Sequence, residues 1–274
     1  MAKKVQSLTT RDGCCLAYEI AGEGPPLVLI HGWTFDRTMW ASQIPELSQH
    51  YTTITYDRRG CGESECTPDL RKELDDLNDL LDHLAFESTF ILGMSQGGRL
   101  VLRYSIIHPE RVKAIILQGA SLDGYMPESN PEDQIPLNHY SMLVKKGLIE
   151  TVRNEWLKHP MMQIPTSNLA VKKQIQEILN RYSGEDLKEN ITEQMAFPVN
   201  IAENLQKITI PTLIIEGKEE IALLKEVANK LLEGIQGSKK IVITGGGHLI
   251  NFIKPEKYNQ AVIEFINNCL DKES

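Results

Sequence analysis

A serine stands between glycines in Phe90-Ile-Leu-Gly93-Met-Ser95-Gln-Gly97-Gly98-Arg99. The apolar run before it reads as a buried strand and the pattern after it as a helix, so Ser95 falls on a strand-to-helix turn. So sharp a turn calls for glycine on either side, because side chains there would collide with neighbouring backbone. It lifts the Ser95 hydroxyl clear of the sheet at a helix N-terminus, where backbone N–H groups and the helix dipole favour developing negative charge. That is the setting of a nucleophilic serine. A glycine turn with an ordinary serine is the plainer alternative, and the flanking strand and helix speak against it.

A nucleophile of this kind needs donors for an oxyanion and a base for its proton. Leu27-Val-Leu-Ile-His31-Gly32-Trp33 ends another apolar run. Gly32 lets the chain turn tightly there, so the N–H of Trp33, with that of Gln96, can form a two-donor oxyanion hole. The base must come from seven histidines. His31, at the strand end, is expected to brace the loop. His50, His83 and His108 fall at helix ends or on helix faces, and His139 and His159 lie in a stretch without strands. His248 follows an apolar run and Gly245-Gly-Gly247, which presents an imidazole at a sheet edge without steric cost. His248 is the expected base.

The elements that must hold these groups alternate. Strands are expected at Leu16–Ile20, Leu27–Ile30, Thr52–Tyr56, Phe90–Leu92, Lys113–Leu117, Thr212–Ile215 and Lys240–Ile243. Several are continuously apolar, as in a parallel sheet buried on both faces. Leucines at 70, 74, 77, 81 and 84 predict an amphipathic helix over about 68–84; others are expected over about 96–107 and 255–270, the last with Pro255 in its first turn. Between about 122 and 198 the rhythm breaks. Prolines stand at 127, 131, 136, 160 and 165, and helical patterns appear near 138–157 and 168–181. This reads as a helical cap, with Leu143, Trp156, Met161 and Met162 expected to wall a pocket.

Composition excludes other classes. Of 274 residues, 41% are apolar and 24% charged, which rules out disorder for most of the chain. The formal charge of −8 and the lack of a basic block leave nucleic acid without an electrostatic footprint. Apolar runs such as Pro26–Ile30 are far shorter than the roughly 20 residues a membrane span needs, and the opening residues lack the apolar core of a signal peptide. Five cysteines fit neither a disulfide framework nor zinc-ligand spacing, so reduced thiols and a cytoplasmic location are expected.

Taken together, His31-Gly-Trp33, the Ser95 elbow and the late Gly-His248 resemble the α/β-hydrolase family. Tyr56-Asp57-Arg-Arg-Gly60-Cys-Gly62-Glu-Ser64 is similar to its Asp-x-x-Gly-x-Gly-x-Ser loop, whose Asp57 is expected to brace structure. The resemblance implies a mostly parallel central sheet flanked by helices, with a core of residues 1–121 and 199–274 and a cap, 122–198, inserted after the sixth strand. It also implies a catalytic acid after a late strand, usually Asp. Here Gly217-Lys-Glu219-Glu220 offers a glutamate, so Glu220 is the expected acid, with Glu219 and Asp123 as alternatives. The implied function is a serine hydrolase of a small ester, thioester or lactone, acting on a small molecule through an acyl-enzyme and requiring neither metal nor cofactor. The start of the chain also resembles cofactor-free haloperoxidase/esterase members. Two rivals share these residues: a menaquinone-pathway lyase of the same fold, whose elbow resembles the run ending in Arg99, and a hydrolase-fold receptor or regulatory protein.

Overall fold

A computed structural model describes residues 5–128, 130–165, 167–188 and 197–271. Residues 189–196 of the expected cap, with 129 and 166, and the opening residues 1–4 lie outside them. Eight strands form one sheet: β1 (Gln6–Thr9), β2 (Cys15–Ala21), β3 (Pro26–Ile30), β4 (Thr52–Tyr56), β5 (Thr89–Met94), β6 (Val112–Gln118), β7 (Thr212–Gly217) and β8 (Lys239–Ile243). Their order is β1-β2-β4-β3-β5-β6-β7-β8. From β4 onward neighbours run parallel, while β1 and β2 close the edge antiparallel.

Strand periodicity sorts the apolar side chains onto two faces. Leu27, Leu29, Phe90, Leu92, Ile116 and Ile215 point to one core, shared with Tyr258, Val262 and Ile266 of the helix Pro255–Leu270. Val28, Ile30, Ile91, Ile115, Leu117 and Ile214 point to the other, shared with the helices Glu73–His83, Gln96–Ile107 and Ala222–Gly234. The sheet is covered on both sides, which is why its inner strands are continuously apolar.

Three local features differ from expectation. The helix expected from about residue 68 begins at Glu73, because Asp69 takes the Arg71 N–H and guanidinium and holds 69–72 in a turn. The pattern over 138–157 is two helices, Leu137–Lys145 and Ile149–Trp156, parted by Gly147 at φ +75°, with the Leu148 N–H donating back to Leu143 O at 2.9 Å. The thiols are also corrected. Cys14 and Cys66 form a disulfide, while Cys15 and Cys61 are free thiols. Spacing gave no sign of the bridge, because long-range contacts make it: the segment after β4 folds along the start of β2, where the Glu65 N–H reaches Cys15 O and the Ala17 N–H reaches the Ser64 hydroxyl. The bridge removes the support that reduced thiols lent to a cytoplasmic location. No helix among the described residues is long and apolar enough to cross a membrane.

Candidate active site

Ser95 follows the last residue of β5 at φ +55°, ψ −114°, and caps the helix Gln96–Ile107. A non-glycine residue held at positive φ is strained, and surrounding structure must enforce it. Two bonds do so. The Ser95 N–H donates to Gln118 O at the end of β6 (2.8 Å), and Ser95 O accepts from the Ser121 N–H (3.2 Å). The loop leaving β3 passes beside the serine: a Cβ added to Gly32 would fall 3.4 Å from Ser95 Cβ and 2.6 Å from Met94 Sδ. Glycine permits that approach, which brings the Gly32 backbone next to Met94 and Ser95.

His248 and Glu220 meet at the ends of β8 and β7. Their closest atoms, Nδ1 and Oε2, are 2.8 Å apart, and both side chains are buried. The other Glu220 oxygen accepts the Ile221 N–H at 2.9 Å, which fixes the carboxylate. Gln118 ties this pair to the serine, since its backbone holds the Ser95 N–H while its side-chain amide donates to His248 O at 2.8 Å. Gly119 sits at φ +50°, where a Cβ would come within 2.6 Å of the imidazole. Sequence reasoning missed Gln118 and Gly119; a glycine just after a buried strand was the available signal.

The other candidate acids are elsewhere. Both Asp123 oxygens are held by the Arg103 guanidinium, at 2.6 and 3.0 Å. Glu219 reaches the Gly245 N–H at 3.4 Å and is exposed. His31 is fully buried, with Nδ1 2.8 Å from Gly32 O and Nε2 accepting the Arg58 N–H at 2.9 Å. Burial and the adjacent Arg58 guanidinium push its pKa down to about 3. Arg58 was also missed. Its guanidinium pairs with Glu73 and donates to His31 O and Gln96 Oε1, which ties the loop after β3 to the elbow. Asp57 accepts the N–H groups of Arg37 (2.7 Å) and Glu63 (2.8 Å), a bracing arrangement.

A cleft of about 790 Å³, counting its open mouth, lies over Ser95 and Gln96. Trp33, Arg58, Cys61 and Arg99 line it from the core side, and Ile135, Leu137, Tyr182, Asp186 and Leu187 from the segment between β6 and β7. The expected wall residues are not its lining. Trp156, Met161 and Met162 are buried in the core shared with Phe35, Met94 and Phe252, and Leu143 packs against that core, because these large side chains seat the segment on the sheet. Burial raises the Cys61 thiol well above its ordinary range, leaving it protonated. Among the described residues no group of three or more His, Cys, Asp or Glu could hold a metal ion.

A family model described as the alpha/beta hydrolase fold matches residues 25–255. The chain belongs to the α/β-hydrolase family. It is 28% identical to the non-heme chloroperoxidase CPO-A1 of Kitasatospora aureofaciens, over 94% of this chain and 98% of that one. It is 26% identical to the 3-oxoadipate enol-lactonase 1 of Acinetobacter baylyi, over 95% and 96%. Among solved structures it is similar to a thermophilic esterase from Thermogutta terrifontis, with a TM-score of 0.82 and 25% identity over 97% of this chain and 99% of that one. This α/β hydrolase is thus an enzyme whose relatives include esterases and a lactonase.

Proposed function

We propose that this α/β hydrolase cleaves a small carboxylic ester, thioester or lactone through an acyl-enzyme on Ser95. The observation that carries the reading is the imidazole–carboxylate contact of His248 and Glu220, joined through Gln118 to a serine on a strained elbow. Ser95 Oγ attacks the carbonyl as His248 Nε2 takes its proton. Glu220 holds the Nδ1–H tautomer and balances the imidazolium. The N–H groups of Trp33 and Gln96 take the oxyanion. His248 then protonates the leaving oxygen or sulfur, and water, deprotonated by His248, releases the acid. In this reading the described residues of the expected cap meet the acyl chain through Ile135, Leu137 and Leu187. The test is a panel of p-nitrophenyl esters of graded acyl length with lactones beside them. A fluorophosphonate should add one label, and that label should vanish in Ser95→Ala; labelling that survives the substitution refutes the reading.

Arg99 favours a substrate that carries an anion. It is 8% exposed and lines the cleft, and its nearest carboxylate, Asp123, is 3.9 Å away and already held by Arg103. Burial lowers its pKa to about 10, which still leaves it charged near neutrality. Esters ending in a free carboxylate should outrun their methyl-capped analogues, and Arg99→Met should erase the preference. Arg99 also supports the second reading, the menaquinone-pathway lyase. A Ser95 that reacts with fluorophosphonate, in a protein that turns over no ester or lactone in the panel, would favour it.

A further inference from the structure

The loop that carries Trp33 is held from the far side of the cleft. The Trp33 indole N–H donates to Asp186 Oδ2 at 2.6 Å, and the other Asp186 oxygen accepts the Tyr182 hydroxyl at 2.7 Å. The same indole packs against Trp156, Tyr182 and Tyr140, with ring centroids 5.0, 5.8 and 6.5 Å away. Thr34, at φ +65°, accepts the Trp156 indole N–H at 2.9 Å, and Asp36 accepts from Arg181 at 2.7 Å. All of these partners belong to the segment between β6 and β7. We propose that Asp186 is a positioning residue for the oxyanion hole: through the indole it fixes the backbone N–H of Trp33 over Ser95. The inference rests on the reading of Trp33 as an oxyanion donor.

The physical case has three parts. A useful donor must stand about 2.7–3.1 Å from the developing oxyanion, and a misplacement near 1 Å costs about a hundredfold. The loop must be held from outside, because Gly32 has no side chain to anchor it and Thr34 is strained. The carboxylate is also costly where it lies. Burial raises its pKa, against the hydrogen bonds from Tyr182 and Trp33 and the Arg58 charge, which lower it. What it holds is the indole and the phenol.

The experiment is kcat and KM on one activated ester for Asp186→Ala, Trp33→Phe, the double variant and Asp186→Asn. Asp186→Ala and Trp33→Phe should each lower kcat about tenfold or more, with KM changed less than about threefold. The double variant should be no worse than either single, since both remove one contact. Asp186→Asn keeps an oxygen for the indole and should recover to within about threefold of the parent. Additive losses, a change confined to KM, or full kcat in Asp186→Ala would overturn the proposal. Should Asp186→Ala not fold, full kcat in Trp33→Phe would overturn it as well. Failure of the underlying reading looks different: the unsubstituted protein would then turn over no ester or lactone, whether or not Ser95 takes the fluorophosphonate, and the inference would fall with it.

Discussion

Two buried histidines lie at the carboxyl ends of parallel strands in this sheet, His31 after β3 and His248 after β8. They differ in what meets the ring. His31 faces a carbonyl on one nitrogen and an N–H on the other, with a guanidinium alongside. Since Arg58 N–H must donate to Nε2, a proton there would set two donors against each other and place a cation beside a cation. His248 meets a carboxylate at Nδ1, which can balance the charge of an imidazolium. Burial alone therefore does not separate a proton carrier from a brace. The partner on the ring does.

The largest effect should sharpen that contrast. His248→Ala and Ser95→Ala should each lower kcat by about four to six orders of magnitude, as loss of a member of such a unit does, and the double variant should be little worse. The measurement is kcat on one activated ester, with thermal melts to show that the variants fold. If a folded His31→Gln loses as much activity as His248→Ala, the two histidines have been assigned the wrong way round.

Next in size is the carboxylate. Glu220→Gln should lower kcat by about 10⁴, because the amide permits the wrong imidazole tautomer and cannot balance its charge. Asp123→Asn should leave kcat within about threefold, since its partner is Arg103 and not His248. It should instead reduce stability by about 1–3 kcal/mol, through the partly unpaired guanidinium. A large loss of kcat in Asp123→Asn with a near-normal Glu220→Gln would move the acid to the strand β6.

These contacts were unequally visible in the chain. The inner strands could be read because both faces are buried, which writes unbroken runs such as Leu27–Ile30. The edge strand β1 could not, since only Leu8 of its four residues is buried. The elbow, the tight Gly32 turn beside it and the His248–Glu220 contact were legible from local glycines and from chain order. Gln118, Gly119, Arg58 and Asp186 were not, because their roles arise where segments distant in sequence meet. Asp186 reads as one more polar residue in Ser183-Gly-Glu-Asp186, yet it meets Trp33, 153 positions away. The Cys14–Cys66 bridge was hidden for the same reason.

The smallest effect is one of stability, and it tests the brace directly. Folded His31 holds its pKa near 3, against 6.5 for a free imidazole, because burial and Arg58 oppose the charge. Above pH 6.5 the ring is neutral whether the chain is folded or not, and its two hydrogen bonds contribute in full. As the pH falls through 6.5 toward 3, the unfolded chain takes up a proton that the folded one refuses, so the contribution of His31 to stability shrinks, by up to about 1.4 kcal/mol per pH unit. Gln at this position keeps a donor and an acceptor but cannot be protonated. The gap in Tm between the parent and His31→Gln should therefore be widest at pH 7.5 and narrow steadily at pH 5.5 and 4.5. Asp57 and Asp76, whose pKa values burial raises to about 6, act in the opposite sense, but both proteins carry them and they cancel in the difference. Calorimetric melts across that range decide the matter: a gap that stays constant or widens on acidification would show that His31 can accept a proton where it stands, and the contrast with His248 would be lost.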